Sequence, residues 1–204
     1  IICDIDATIL NKEPNFRLIK NFAEESRMPL CYVGGVKTVE HVSSIIQLGI
    51  EKVGISSEAF SNINFVKDAV ELVGSQSIVG VLDIKKNFLS GYSVFVNNGT
   101  KRVNKTCKEI IEQLQDAGVG EIVINSINRD GTKEGFDFEL LDELSKLIKV
   151  PFTILGGVGS FEPRRLALKD TEKYEGKSIF YAVKNKDEFK NKNISIFGGG
   201  DSAL

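Results

Sequence analysis

Two short patterns occur twice in this chain, in the same order and far apart. Cys3-Asp4-Ile5-Asp6-Ala7-Thr8 is echoed by Ile127-Asn128-Arg129-Asp130-Gly131-Thr132, and Pro29-Leu30-Cys31-Tyr32-Val33-Gly34-Gly35-Val36 by Pro151-Phe152-Thr153-Ile154-Leu155-Gly156-Gly157-Val158. Each copy reads as a strand ending in acidic residues, a helical stretch, and a second strand ending in Gly-Gly. Carboxylates handle protons, and paired glycines let backbone N–H groups approach a phosphate closely. A duplicated βα unit with one such loop per half predicts a pseudo-symmetric site for a ligand carrying phosphate at both ends.

The rest of the chain constrains what the repeat can sit in. Apolar runs and 3.6-period segments alternate with little interruption. The pattern predicts strands at about 1–5, 30–33, 51–55, 77–83, 120–124 and 151–155, and helices at about 14–26, 38–48, 62–73, 104–117 and 137–148. The helix at 38–48 shows the logic. Thr38 can cap it, Glu40 follows in the first turn, Val42, Ile45, Ile46 and Leu48 form the apolar stripe, and Gly49 ends it. Between 84 and 103, alternating Tyr92-Ser93-Val94-Phe95-Val96 runs into Asn97-Asn98-Gly99, a hairpin signal. Near-continuous apolar strands separated by helices imply parallel strands buried on both faces. The fold expected is α/β, an incomplete (β/α)8 barrel over 1–159 holding about strands two to seven. A doubly wound sheet is the alternative. In a barrel the polar and glycine residues that follow each strand share one face, where active sites lie.

Residues 160–204 break the period and are expected to be a separate, non-barrel α/β fragment. The chain opens with Ile1-Ile2 already in a strand and closes just after a Gly-rich turn that normally opens a helix, which reads as truncation at both ends.

Several function classes are excluded or disfavoured. The formal net charge of −2 makes no electrostatic case for nucleic acid or an anionic membrane, and no apolar run is long enough to span a bilayer. Cys3, Cys31 and Cys107 are widely spaced, with no CxxC, so a reducing cytoplasm is the expected setting. His41 is the single histidine, which rules out a histidine-based triad or a multi-histidine metal site within one chain; no metal is expected. Proton transfer falls to Asp, Glu, Lys or water.

Residues 1 to about 159 resemble the cyclase subunit of imidazole glycerol phosphate synthase, a histidine-biosynthetic barrel. The resemblance rests on Asp4-Ile5-Asp6-Ala7, Val33-Gly34-Gly35-Val36-Lys37-Thr38, Glu51-Lys52-Val53, Gly74-Ser75-Gln76-Ser77, Asp83-Ile84-Lys85-Lys86, Ala117-Gly118-Val119-Gly120-Glu121-Ile122, and the run from Asn125 to Thr132 followed by Gly156-Gly157. It looks closest to paralogues that deliver ammonia to sugars in surface-polysaccharide pathways. The resemblance implies a lyase that uses ammonia from a partner glutaminase subunit on a small bis-phosphorylated ribonucleotide, with no cofactor. It implies proton work by Asp83, beside Lys85, and a second aspartate on a strand preceding Ile1, which would leave this chain alone inactive. Asp130 joins Asp83 as a catalytic candidate, with Asp130, Gly131, Gly156 and Gly157 near one phosphate. Gly34, Gly35, Ser56 and Ser57 fall near the other phosphate, and Asn98-Gly99 matches a substrate-contacting loop. Asp4 is a further binding candidate, although Asp4 and Asp6 also fit a plain strand-end cap. Ser56 and Asn128 depart from the family's usual Asn and Asp. Lys52 and Glu121 match a charged ring where ammonia enters the opposite mouth, and they also fit ordinary solvated charge.

The tail resembles a different class. Gly157-Val158-Gly159-Ser160-Phe161-Glu162-Pro163-Arg164 and Ile196-Phe197-Gly198-Gly199-Gly200-Asp201-Ser202-Ala203 look like NADPH-dependent flavoprotein reductases of the thioredoxin reductase and ferredoxin–NADP reductase type. This resemblance implies Gly198, Gly200 and Ala203 at an NADPH pyrophosphate, FAD as a companion cofactor, and a joining of two fragments at Gly157-Val158-Gly159. The alternatives to a lyase are thus a reductase fragment or a non-catalytic phosphate-binding barrel remnant.

Overall fold

The computed structural model describes residues 1–87 and 91–158. Its parallel strands are β1 (Ile2–Cys3), β2 (Cys31–Val33), β3 (Lys52–Ile55), β4 (Ile78–Asn87), β7 (Glu121–Ser126) and β8 (Phe152–Leu155), each next to the one before it along the chain. This sequential order lacks the reversal that defines a doubly wound sheet. The sheet curls into a half-barrel.

Alternation along the strands divides the side chains. Cys31, Val33, Val79, Val81, Val123 and Leu155 pack together on the concave face. Their neighbours in sequence, among them Tyr32, Ile78, Leu82, Ile122 and Ile124, join the larger core beneath the helices, as does Val53 of β3. The helices close that layer with one stripe each: α2 (Phe16–Glu25) buries Ile19, α3 (Val39–Gln47) buries Val42 and Ile45, and α5 (Ile63–Val73) buries Phe65, Val66 and Ala69. On the other half, α6 (Cys107–Asp116) buries Ile110, Ile111 and Leu114, and α7 (Phe138–Ser145) buries Leu140 and Leu144. Their starts are capped as side-chain chemistry requires. Thr38 accepts the His41 amide, and Thr106 and Glu109 form a reciprocal capping box.

Three local features differ from the sequence expectation. The first strand stops at Cys3 because Asp4 caps a one-turn helix, α1 (Ile5–Ile9), accepting the Ala7 amide at 3.0 Å. A second short helix, α4 (Ser57–Ser61), follows β3. β4 runs on to Asn87 because it changes neighbours. Val79 to Ile84 pair with β7 in parallel, while Asp83 to Asn87 pair antiparallel with β5 (Gly91–Val96), which turns through Asn97-Asn98-Gly99 into β6 (Lys101–Arg102).

Asp137 ties this hairpin to the sheet and to α7. It is 6% exposed, and its Oδ1 accepts the Tyr92 hydroxyl at 2.9 Å and the Leu140 amide at 3.1 Å, while Oδ2 accepts the Ser126 hydroxyl at 3.3 Å. Asp137→Ala leaves a buried hydroxyl and a helix-start amide without partners, so urea unfolding should show a loss of about 2–4 kcal/mol. A change below about 0.5 kcal/mol would mean that water replaces the carboxylate freely.

Candidate active site

Because the six strands run in parallel, every residue that follows a strand lies at the same end of the sheet. Gly34-Gly35 follow β2, Ser56-Ser57 follow β3, Asp83 and Lys85 lie in the last part of β4, the Ile127–Asp137 loop follows β7, and Gly156-Gly157 follow β8. In the sheet β4 lies between the two Gly-Gly strands, with β3 separating it from β2 and β7 separating it from β8. At about 4.8 Å per strand, each Gly-Gly loop stands about 10 Å from Asp83 along the rim.

Asp83 alternates with Val79 and Val81 and so faces the concave side. Its Oδ1 accepts from the Asn125 side-chain amide at 2.8 Å, and the nearby Ser56 hydroxyl favours the charged form of the same carboxyl. Burial pushes the Asp83 carboxyl above its ordinary value, and these two groups offset only part of the push. The expected influence of Lys85 is not what operates here. The Lys85 ammonium donates instead to the Gly99 carbonyl at 2.5 Å and sits 5.1 Å from the centre of the Phe95 ring. Asn125 was not among the sequence candidates. Its only sequence signal is that it opens the run Asn125-Ser126-Ile127-Asn128, and the contact itself comes from the β4–β7 register, which sets Asp83 opposite Asn125.

Asp130 is exposed in the loop after β7, its amide bonded to the Ser126 carbonyl at 3.1 Å. Partial burial pushes the Cys3 thiol up, against the charge of the N-terminal amine, and the charges of Asp83 and Asp130 push it further the same way. Asn128 accepts the Lys86 amide at 2.8 Å through its side-chain oxygen, a task a carboxylate oxygen performs equally well. Both Asp4 oxygens have local partners: Oδ1 caps α1 and Oδ2 accepts the Tyr32 hydroxyl at 3.0 Å.

The Gly-Gly loops are crowded. At Gly35, with φ +65°, a Cβ would stand 2.8 Å from the Lys12 carbonyl, and at Gly157, with φ +86°, it would overlap the Gly135 carbonyl. Among the described residues the amides of Gly35 and Gly157 donate to no partner, although the Gly157 carbonyl accepts the Gly135 amide at 2.7 Å. Unpaired N–H groups at two matching loops suit an anion at each. Ser57 lies between them and accepts the Asn97 amide at 3.3 Å, which brings Asn98 and Gly99 to the rim.

Lys52 and Glu121 begin β3 and β7 and therefore lie at the opposite end of the sheet. They form an ion pair of 2.6 Å, and Glu121 also accepts the Thr153 hydroxyl at 2.8 Å. Burial pushes the Glu121 carboxyl up, but the bonds from Lys52 and Thr153 outweigh it and hold the group below its ordinary value of 4.5. A lowered carboxylate adds stability at neutral pH that is lost as pH falls through its folded value. Glu121→Gln should therefore unfold at lower urea than the parent at pH 7, with the gap closing below about pH 4.5. A constant gap across that range would remove the ion pair from the stability balance.

Among the described residues no group of His, Cys, Asp and Glu is placed to hold a metal ion, and no helix is long and apolar enough to cross a membrane. Gly198, Gly200 and Ala203, the candidates for NADPH, lie outside the described residues, as does the whole segment 160–204.

A curled parallel βα sheet with acidic and Gly-Gly loops gathered at its C-terminal rim defines a half-barrel of the βα-barrel class. Residues 1–180 match the model of the histidine biosynthesis protein family. A Pseudomonas aeruginosa protein provisionally named imidazole glycerol phosphate synthase subunit hisF2 is 45% identical over 78% of this chain and 64% of its own length. A Vibrio vulnificus protein provisionally named subunit hisF3 is 46% identical over 78% of this chain and 61% of its own. The Sulfurisphaera tokodaii imidazole glycerol phosphate synthase subunit HisF is 32% identical over 89% of this chain and 72% of its own. The chain belongs to the histidine biosynthesis protein family, and it spans less than two thirds of the length of the first two relatives. The family match continues to residue 180, across the switch expected at Gly157-Val158-Gly159, and gives no support to a reductase-like unit beginning there.

Proposed function

We propose that this chain supplies the substrate-binding half-barrel of a cyclase of the imidazole glycerol phosphate synthase type. In that reaction ammonia from a partner glutaminase subunit attacks a bis-phosphorylated ribulosyl-formimino aminoimidazole carboxamide ribonucleotide. The products are imidazole glycerol phosphate, an aminoimidazole carboxamide ribonucleotide and one water, which leaves with the ketone oxygen as the imidazole ring closes. The observation that carries the reading is Asp83, half-buried and with its carboxyl raised by burial, on the strand midway between two Gly-Gly loops whose Gly35 and Gly157 amides donate to no partner among the described residues. Raising a carboxyl by burial moves it in the direction that general acid or base work calls for. Asp130, Gly131, Gly156 and Gly157 take one phosphate, and Gly34, Gly35, Ser56 and Ser57 take the other, with Asn98 and Gly99 over the middle of the ligand. The Lys52–Glu121–Thr153 cluster stands where ammonia would enter from the far end of the sheet.

The test is turnover of the ribonucleotide with ammonium chloride by a polypeptide of the relatives' full length that carries these residues. Release of imidazole glycerol phosphate supports the histidine-pathway chemistry. Tight binding of the ribonucleotide without turnover points to a paralogous amidotransfer, and absence of both removes the reading.

A further inference from the structure

Lys85 is a charged group of the rim to which the chemistry above gives no role. It lies two residues beyond Asp83 on the same face of β4, yet it is aimed at the hairpin rather than at the carboxylate. The turn it meets is unusual. Asn97, Asn98 and Gly99 are all left-handed, with φ of 52°, 55° and 72°. Asparagine tolerates that region better than other side-chain-bearing residues, but successive left-handed residues still raise the energy of the turn. Local bonds hold only its far side, where the Thr100 amide reaches the Val96 carbonyl at 3.2 Å and the Thr100 hydroxyl reaches the Asn97 carbonyl at 2.7 Å. Among the described residues two hydrogen bonds bind the turn to the barrel rim: the Asn97 amide to the Ser57 hydroxyl, at a long 3.3 Å, and the Lys85 ammonium to the Gly99 carbonyl, at 2.5 Å. The second is charge-assisted and short, and therefore the stronger. The Phe95 ring, 5.1 Å from the ammonium, steadies the same side chain. The absence of a side chain on Gly99 gives the lysine its space, since a Cβ there would stand 3.1 Å from both Cε and Nζ of Lys85.

We infer that Lys85 is a positioning residue that clamps the Asn97-Asn98-Gly99 turn over the rim, so that the turn is already in place when a bis-phosphorylated ligand spans the two Gly-Gly loops. The ligand part of this inference rests on the function proposed above; the clamp itself does not. It acts through the backbone of the turn, since the Lys85 ammonium donates to the Gly99 carbonyl and, among the described residues, forms no hydrogen bond with Asp83.

The experiment compares the full chain with Lys85→Met, which keeps the stem and removes the ammonium, and with Lys85→Arg, which restores a cationic donor. Amide hydrogen exchange is followed at Thr100 and at Gly99, beside titrations with ribulose 1,5-bisphosphate and with inorganic phosphate. Lys85→Met should speed exchange in the turn by about 10- to 100-fold, the range for one lost hydrogen bond to a charged group. Exchange in the buried strand β7 should stay at the parent rate. Bisphosphate affinity should fall about tenfold with inorganic phosphate affinity unchanged, and Lys85→Arg should recover most of both effects. Turn exchange at the parent rate in Lys85→Met overturns the clamp. Faster exchange with unaltered bisphosphate affinity overturns the positioning role, as does a loss that Lys85→Arg fails to recover. If the parent chain binds no bisphosphate, the proposed function and the positioning role fall together, and the exchange comparison still decides the clamp.

Discussion

Asp83→Asn should lower turnover of the ribonucleotide by about 10²–10⁴-fold in a polypeptide of the family's full length, the range for a lost general acid or base. Ligand affinity should change little, because asparagine keeps an oxygen for the Asn125 amide and gains an amide that can meet the Ser56 hydroxyl. Stability should move the other way. A carboxyl raised by burial binds its proton more tightly in the folded chain, so its contribution is intact at low pH and is lost as pH rises from the ordinary 3.8 through the raised value. The asparagine variant escapes that loss. At pH 7 it should unfold at a urea concentration no lower than the parent, with the advantage disappearing below about pH 3.8. Normal turnover in the variant would remove Asp83 from the chemistry. Reduced turnover with reduced stability at pH 7 would mean that the residue is structural.

Gly157→Ala should be the most disruptive single methyl group added to the rim. The position has φ +86°, and a Cβ there would overlap the Gly135 carbonyl, whose amide partner is the Gly157 carbonyl itself. Strain from a left-handed alanine costs about 1–2 kcal/mol, and the displaced Gly135 backbone adds a lost hydrogen bond of about 1 kcal/mol. A total near 2–4 kcal/mol in urea unfolding is expected, together with at least a tenfold loss of bisphosphate affinity, since the amide at that loop moves. Gly131→Ala is the control: it has a similar φ of +72° but nothing within 4 Å of the added carbon. In urea unfolding it should cost only the conformational strain, about 1–2 kcal/mol. Equal effects at the two positions would show that crowding against Gly135 plays no part.

The candidate site was legible in the sequence where it depends on short patterns. The duplicated Gly-Gly pairs marked the two loops at the ends of β2 and β8, and the run of apolar strands between helices marked the parallel sheet. Asp4 shows the limit of such patterns. Its place after a strand made it a binding candidate, but one oxygen caps α1 and the other meets Tyr32 across the β1–β2 pairing. Lys85 misled in the same way. Two positions from Asp83, it reads as that residue's natural partner, yet an antiparallel hairpin that pairs with the end of β4 offers it the Gly99 carbonyl instead. The unexpected length of β4 has the same origin, since residues beyond Asp83 stay extended only because β5 is there to bond them.

By itself the sequence determined the alternation of strands and helices, the caps at Thr38 and Thr106, the apolar stripes, and the two glycine loops. All of these follow from interactions between residues a few positions apart, or from the burial preference of single side chains. Only the tertiary structure decided which of the polar residues meet. Asp83 finds Asn125, and Lys52 finds Glu121 across a separation of 69 residues, because parallel register sets strands β3, β4 and β7 side by side at fixed offsets. The same register decides whether a carboxylate is raised or lowered. Asp83 is withdrawn from water with only neutral hydrogen-bond donors beside it, whereas Glu121 has a lysine across the sheet mouth, and burial without a counter-charge favours the proton while burial against one expels it.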